Sequence, residues 1–102
     1  MKRIINGKKY DTETAKEVGY WSNGHSYSDF SYCCERLYRK KTGEFFLFGE
    51  GGAMSRYSRS CGQNEWCGGA DIIPMTEQEA RNWAERHLDG DEYEAIFGDV
   101  EE

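Results

Sequence analysis

The segment Cys34-Glu35-Arg36-Leu37-Tyr38-Arg39-Lys40 runs through Lys41-Thr42-Gly43 into Glu44-Phe45-Phe46-Leu47-Phe48. Aromatic and aliphatic residues at this density, on either side of a short turn containing glycine, predict two antiparallel strands over 34–40 and 44–48. A third strand-like segment centres on Asp71-Ile72-Ile73, before Pro74. An antiparallel meander is the simplest way to join the three. Upstream, Arg3-Ile4-Ile5 and Lys8-Lys9-Tyr10 flank Asn6-Gly7, the dipeptide that best tolerates the positive φ angles of a type I′ turn, so the first ten residues predict a β-hairpin.

Downstream, Thr76-Glu77-Gln78-Glu79 has the pattern of a capping box, in which the Thr hydroxyl accepts from an early helical N–H and the Glu reaches back. Ala80, Trp83, Ala84 and Leu88 then follow the i, i+3, i+4, i+8 spacing of a buried stripe, with Asp89-Gly90 as the stop. A second helical piece spans Asp91 to Phe97 and ends at Gly98. Asp11 or Thr12 can cap a short helix through Thr14-Ala15-Lys16-Glu17-Val18, ending near Gly19. Residues 19–32 read as a loop, and 49–70 as a long irregular excursion. In that excursion Gly49-Glu50-Gly51-Gly52 forms a tight turn and a short strand fits around Ser55-Arg56-Tyr57. The expected architecture is therefore one α+β domain over residues 1–102. It is a small antiparallel sheet, an N-terminal hairpin plus a meander, packed by a C-terminal helix and one or two short helices, with an acidic tail fraying over about 98–102.

Hydrophobic residues make up 37% of the 102, and the longest apolar run is Phe45 to Phe48, far short of the ~18–20 residues of a membrane span. This excludes a membrane protein. The opening Met1-Lys2-Arg3-Ile4-Ile5-Asn6-Gly7 lacks the apolar stretch of a secretion signal, so the expected location is the cytoplasm. In that reducing compartment Cys33, Cys34, Cys61 and Cys67 should be free thiols.

Charge is segregated. Residues 1–70 carry eleven Lys or Arg against eight Asp or Glu, a balance of +3, whereas residues 71–102 carry two Arg against eleven acids, a balance of −9. The dense part comprises Asp89, Asp91, Glu92, Glu94 and Asp99, followed by Glu101 and Glu102. It reads either as a solvated face with an acidic tail, or as a docking surface for a basic groove of the kind that holds nucleic acid. The opposite patch, Arg36, Tyr38, Arg39 and Lys40 with Arg56 nearby, alternates cations with an aromatic, as needed to track phosphates and stack bases. The bland account of it is the polar side of an amphipathic strand, and the overall charge of −6 opposes a stand-alone nucleic-acid binder.

Enzymatic chemistry finds little purchase. Cys61 and Cys67 are separated by five residues with no Cys-x2-Cys or His-x3-His partner, which is weak as a zinc signature. A thiol nucleophile at Cys33 or Cys34 with His25 as base and Asp29 or Glu50 as orienter is conceivable but not demanded by spacing. The expectation is a non-enzyme with no metal and no cofactor.

Several stretches together resemble a known group. They are Ile4-Ile5-Asn6-Gly7-Lys8-Lys9-Tyr10-Asp11-Thr12-Glu13-Thr14-Ala15, Leu37 to Leu47, Gly49-Glu50-Gly51-Gly52 with Ser55 and Tyr57, and Ile72-Ile73-Pro74-Met75-Thr76 followed by Ala80 and Trp83. This combination is similar to a family of small proteins from bacterial and phage mobile elements that includes anti-CRISPR inhibitors of Cas9. The four cysteines are not part of the pattern. The resemblance implies an inhibitor in the cytoplasm of a bacterial host, with a protein partner of the Cas nuclease type met through the acidic surface. The alternative is a small nucleic-acid-binding or regulatory protein that uses the basic, aromatic hairpin.

Overall fold

The computed structural model describes residues 1–102. The first ten residues form the expected hairpin, β1 (Lys2–Ile5) and β2 (Lys8–Asp11), with Ile5 opposite Lys8. Asn6 and Gly7 take φ of 52° and 78°, the left-handed pair that a two-residue turn of this hand requires.

The central sheet has four antiparallel strands in the order β3 (Lys16–Ser22), β4 (Cys33–Arg39), β5 (Phe45–Gly51) and β8 (Gly69–Met75). The predicted meander is present, and it gains a first strand where a helix was expected over 14–18. The cause is visible locally. Asp11 accepts from the Glu13 N–H through its side chain and from the Thr14 and Ala15 N–H groups through its carbonyl, so one helix-like turn does form. It stops there because Lys16 pairs with Arg39 and the chain is taken up as an edge strand. A register shift between Glu17 and Gly19 breaks the alternation by which a strand is recognised.

Gly49-Glu50-Gly51 is likewise not a tight turn: it continues β5, with Gly49 opposite both Glu35 and Asp71. Pro74 lies within β8 rather than beyond it, on an edge strand where a missing N–H is tolerated. Between β5 and β8 the chain makes turns over 53–57 rather than a strand at 55–57, then an exposed hairpin of β6 (Arg59–Gly62) and β7 (Glu65–Cys67). This hairpin brings Cys61 and Cys67 together as a disulfide, with Cα atoms 5.9 Å apart. The expectation of four free thiols is corrected to two, Cys33 and Cys34, both buried.

Two helices follow. The capping box at Thr76 opens α1 (Glu77–His87), with the Thr76 hydroxyl accepting from Glu79 N–H and the Glu79 carboxylate from Thr76 N–H. Asp89-Gly90 does not merely stop α1. Leu88 is its C-cap, and Asp89 opens α2 (Gly90–Phe97) with a second capping box through Glu92.

The sheet is covered on both faces. Alternation along β4 and β5 sends Leu37, Phe45 and Leu47 toward Ala80, Trp83 and Ala84 of α1, with Tyr93, Ile96 and Phe97 of α2 packed at the margin. The other face sends Tyr38, Phe46 and Ile72 against Tyr10 of the N-terminal hairpin. Tyr38 stacks on Phe46 at 5.2 Å and Tyr10 meets Phe46 edge-on. Gly19 is fixed by close approach, because a β-carbon there would sit 2.9 Å from Cζ3 of the Trp83 indole.

Candidate interaction surface

All five acids singled out from the sequence lie on α2 or immediately around it, but they do different work. Asp89 accepts from Glu92 N–H at 2.8 Å and Glu92 from Asp89 N–H at 3.2 Å, so these two are the cap of α2. Glu94 accepts from the Val100 N–H at 3.0 Å and folds the tail back. Asp91 and Asp99 make no side-chain hydrogen bond within the chain and are exposed. None of the carboxylates from Asp89 to Glu102 has a lysine or arginine nitrogen within 4.0 Å. Beside them a groove of about 490 Å³ runs between the helices. Its floor is Ala84, Leu88, Tyr93 and Val100, and its rim carries Glu85, Asp89 and Glu94.

The basic set is differently placed. Arg36 is paired with Glu17 at 3.0 Å and lies over the Tyr20 ring. Tyr38 is buried in the second core, and burial pushes its phenol above the ordinary range. Arg39 covers Phe45, and Lys40 caps the Tyr10 ring at 3.7 Å and reaches Glu44. Arg39 and Arg56 lie on the helix face, Arg56 paired with Glu35, whereas Arg36, Tyr38 and Lys40 lie on the other. The structure thus does not bring these five residues into one surface.

The chain matches no protein-family model, no curated protein and no solved structure.

The most concentrated chemistry of the fold was not singled out from the sequence. Glu35 is 1% exposed, at the centre of β4. Its Oε2 accepts from the Tyr57 hydroxyl and from Arg56 Nη1, its Oε1 from Trp83 Nε1 at 2.9 Å, and His87 Nε2 lies 3.9 Å from Oε1. Tyr57 can reach it only because Gly49, the partner of Glu35 in register, has no side chain; a β-carbon there would overlap the phenol ring. His87 is held between Trp21 and Trp83, with ring centroids at 4.5 and 5.2 Å. Burial lowers its pKa, partly opposed by the Glu35 charge. Burial, then the bond to Glu35, raises the pKa of Tyr57, and burial raises that of Cys33. A carboxylate in phase with Cys33 and Leu37 on the inward side of a strand was the available signal.

This cluster ties the 52–58 loop, the sheet and α1 together. Its carboxylate is closed to solvent and already accepts from Tyr57, Trp83 and Arg56. No three His, Cys, Asp or Glu side chains converge in a geometry that could hold a metal. No helix is long and apolar enough to cross a membrane.

Proposed function

We propose that this protein is a non-enzymatic inhibitor that binds a basic, nucleic-acid-handling protein through the α2 surface. One observation carries the reading. The acids from Asp89 to Glu102 are left without internal counter-ions, whereas Arg36, Lys40 and Arg56 are each matched to an acid of the chain itself. A field of one sign, unneutralised and set beside an apolar groove, favours and steers association with a surface of the opposite sign. The sequence resemblance makes a Cas nuclease the first partner to try, with the groove that holds its nucleic acid as the place of contact.

The test is interferometry of immobilised Cas9, with and without guide RNA, against the purified chain at rising salt. Binding is expected, weaker at high salt and weaker still for Asp91→Lys with Asp99→Lys, two positions that cap nothing. Asp89→Ala serves as the contrast, since loss of the cap costs about 1 kcal/mol of helix stability. Absence of binding to Cas9 in either state removes the Cas-directed form of the reading. Binding indifferent to both salt and charge reversal removes the acidic surface.

A further inference from the structure

At the end of the sheet remote from the β4–β5 turn, on the face that also carries the N-terminal hairpin, lies a second cavity of about 460 Å³. Its walls are the backbones of Gly51, Gly52, Gly68 and Gly69, the rings of Tyr27 and Tyr32, and the Glu50 side chain, with Ala70 completing it. Glu50 is the single charged group of the lining. Arg36 is paired with Glu17 and Arg3 with Asp71, whereas Arg59 donates to the Ala70 carbonyl and keeps its charge.

What Glu50 does touch is neutral. The Tyr32 hydroxyl approaches its Oε1 at 3.4 Å and Cys34 Sγ at 3.5 Å, and the hydroxyl also donates to Cys34 Sγ at 3.1 Å. Burial pushes the Cys34 thiol up, and the hydrogen bond to Cys34, then burial, does the same to the Tyr32 phenol. Both stay protonated at neutral pH, so neither neutralises the carboxylate. At the mouth, Tyr27 is 81% exposed with its ring 5.4 Å from that of Tyr32. Glycine backbone supplies the wall, and its glycines are fixed by close contacts. A β-carbon on Gly68 would lie 2.6 Å from the Gly51 carbonyl oxygen, and one on Gly69 would lie 2.5 Å from that of Tyr57.

We propose that this cleft is a binding site for a guanidinium group, the side chain of an arginine on a partner protein. A lone carboxylate at the inner end offers the two-oxygen acceptor that a planar fork of N–H donors matches. The tyrosine at the mouth offers a π-face for the same cation, and the bare peptide wall admits a flat group where a tetrahedral ammonium leaves space unfilled. The inference is independent of the α2 surface, from which this site is separated by the sheet.

The experiment is a ¹H–¹⁵N NMR titration of the intact chain with N-acetyl-L-arginine methylamide, and in parallel with the isosteric, uncharged citrulline derivative and with the lysine derivative. Saturable shifts are expected at the amides of Gly51, Gly52, Gly68, Gly69 and Ala70, with a Kd on the order of 1 mM. Lysine should bind more weakly and citrulline should not saturate. Glu50→Gln should weaken arginine binding at least about tenfold, the loss of one charge-assisted pair. Tyr27→Ala, at an exposed position that the fold does not need, should weaken it severalfold with the spectrum otherwise preserved. The proposal is overturned if citrulline matches arginine, if the shifts are linear and unsaturated, or if they fall outside the cleft. It is equally overturned if Tyr27→Ala, still folded, binds as the parent does.

Discussion

Replacing Glu35 by Ala should be among the most damaging single changes in the sheet. The carboxylate accepts three side-chain hydrogen bonds, from Tyr57, Trp83 and Arg56, and the first two donors are buried. Removing the acceptor strands a phenol and an indole N–H at about 1–3 kcal/mol each and leaves a void where the side chain was. Arg56 adds little to the loss, since its side chain is 62% exposed and water can take over its donors. The expected cost is about 3–5 kcal/mol, as for breaking a buried charged pair. In a domain of this size that is roughly 15 °C or more in melting temperature. Urea unfolding followed by tryptophan fluorescence measures it, and Trp83 reports directly from the site. A double-mutant cycle with Tyr57→Phe should return a coupling of about 1.5–3 kcal/mol. A cost for Glu35→Ala below about 1 kcal/mol, or strict additivity with Tyr57→Phe, would refute the assignment of the cluster as a clamp.

Gly49→Ala should unfold the 52–58 loop or the whole domain, because the new methyl group competes with the Tyr57 ring for the same space; the loss should be at least about 3 kcal/mol by the same urea assay, and a near-neutral result would mean that Tyr57 does not lie on β5. His87 has its pKa lowered in the folded chain by burial, so the unfolded chain binds its proton first. Its contribution is therefore complete above the ordinary histidine range and declines as pH falls through that range toward the lower folded value. A melting temperature that drops between about pH 7.5 and 5.5 in the parent and less steeply in His87→Gln is the expected pattern; parallel curves contradict it. Alkylation of the chain in denaturant without reductant should modify two cysteines, Cys33 and Cys34, and four after reduction. Mass spectrometry that finds four in both cases would show that the Cys61–Cys67 bond is not formed. At low salt, single-stranded RNA and DNA should not shift the chain on a gel, since Arg36, Lys40 and Arg56 are internally paired; a shift lost on Arg36→Ala would restore the nucleic-acid reading.

Elements whose signal is local were legible. Asn6-Gly7 dictates its hairpin whatever surrounds it, and the Thr76 capping box opens α1 where the residues say it should. The β4–β5 pair follows from the density of large side chains. What escaped depends on partners distant in sequence. Lys16–Ser22 is a strand because β4 offers it an edge, against a local turn that starts as a helix would. Gly49 and Gly51 read as turn residues, yet they pair with β4 and β8 and are glycine because Tyr57 and Ser55 occupy the space above them. The disulfide follows from the β6–β7 turn at Asn64, whose φ of 60° could not be inferred from the five-residue spacer. For the candidate surface, the acids were identifiable as charge. That two of them are spent as a helix cap, and that Arg36, Lys40 and Arg56 are matched to acids of the chain itself, follows only from the tertiary arrangement.

The excursion between β5 and β8 leaves the sheet at Gly51 and returns at Gly69, and these two residues face each other in the ladder. For the sheet, then, the detour is topologically equivalent to an ordinary hairpin bend. Its inner half is bolted down by Tyr57, but the disulfide-closed outer half, 59–67, touches little else. That outer half is where natural variation or a grafted peptide could change length and sequence while the scaffold beneath continued to fold, a permissive port built into an otherwise tightly specified domain.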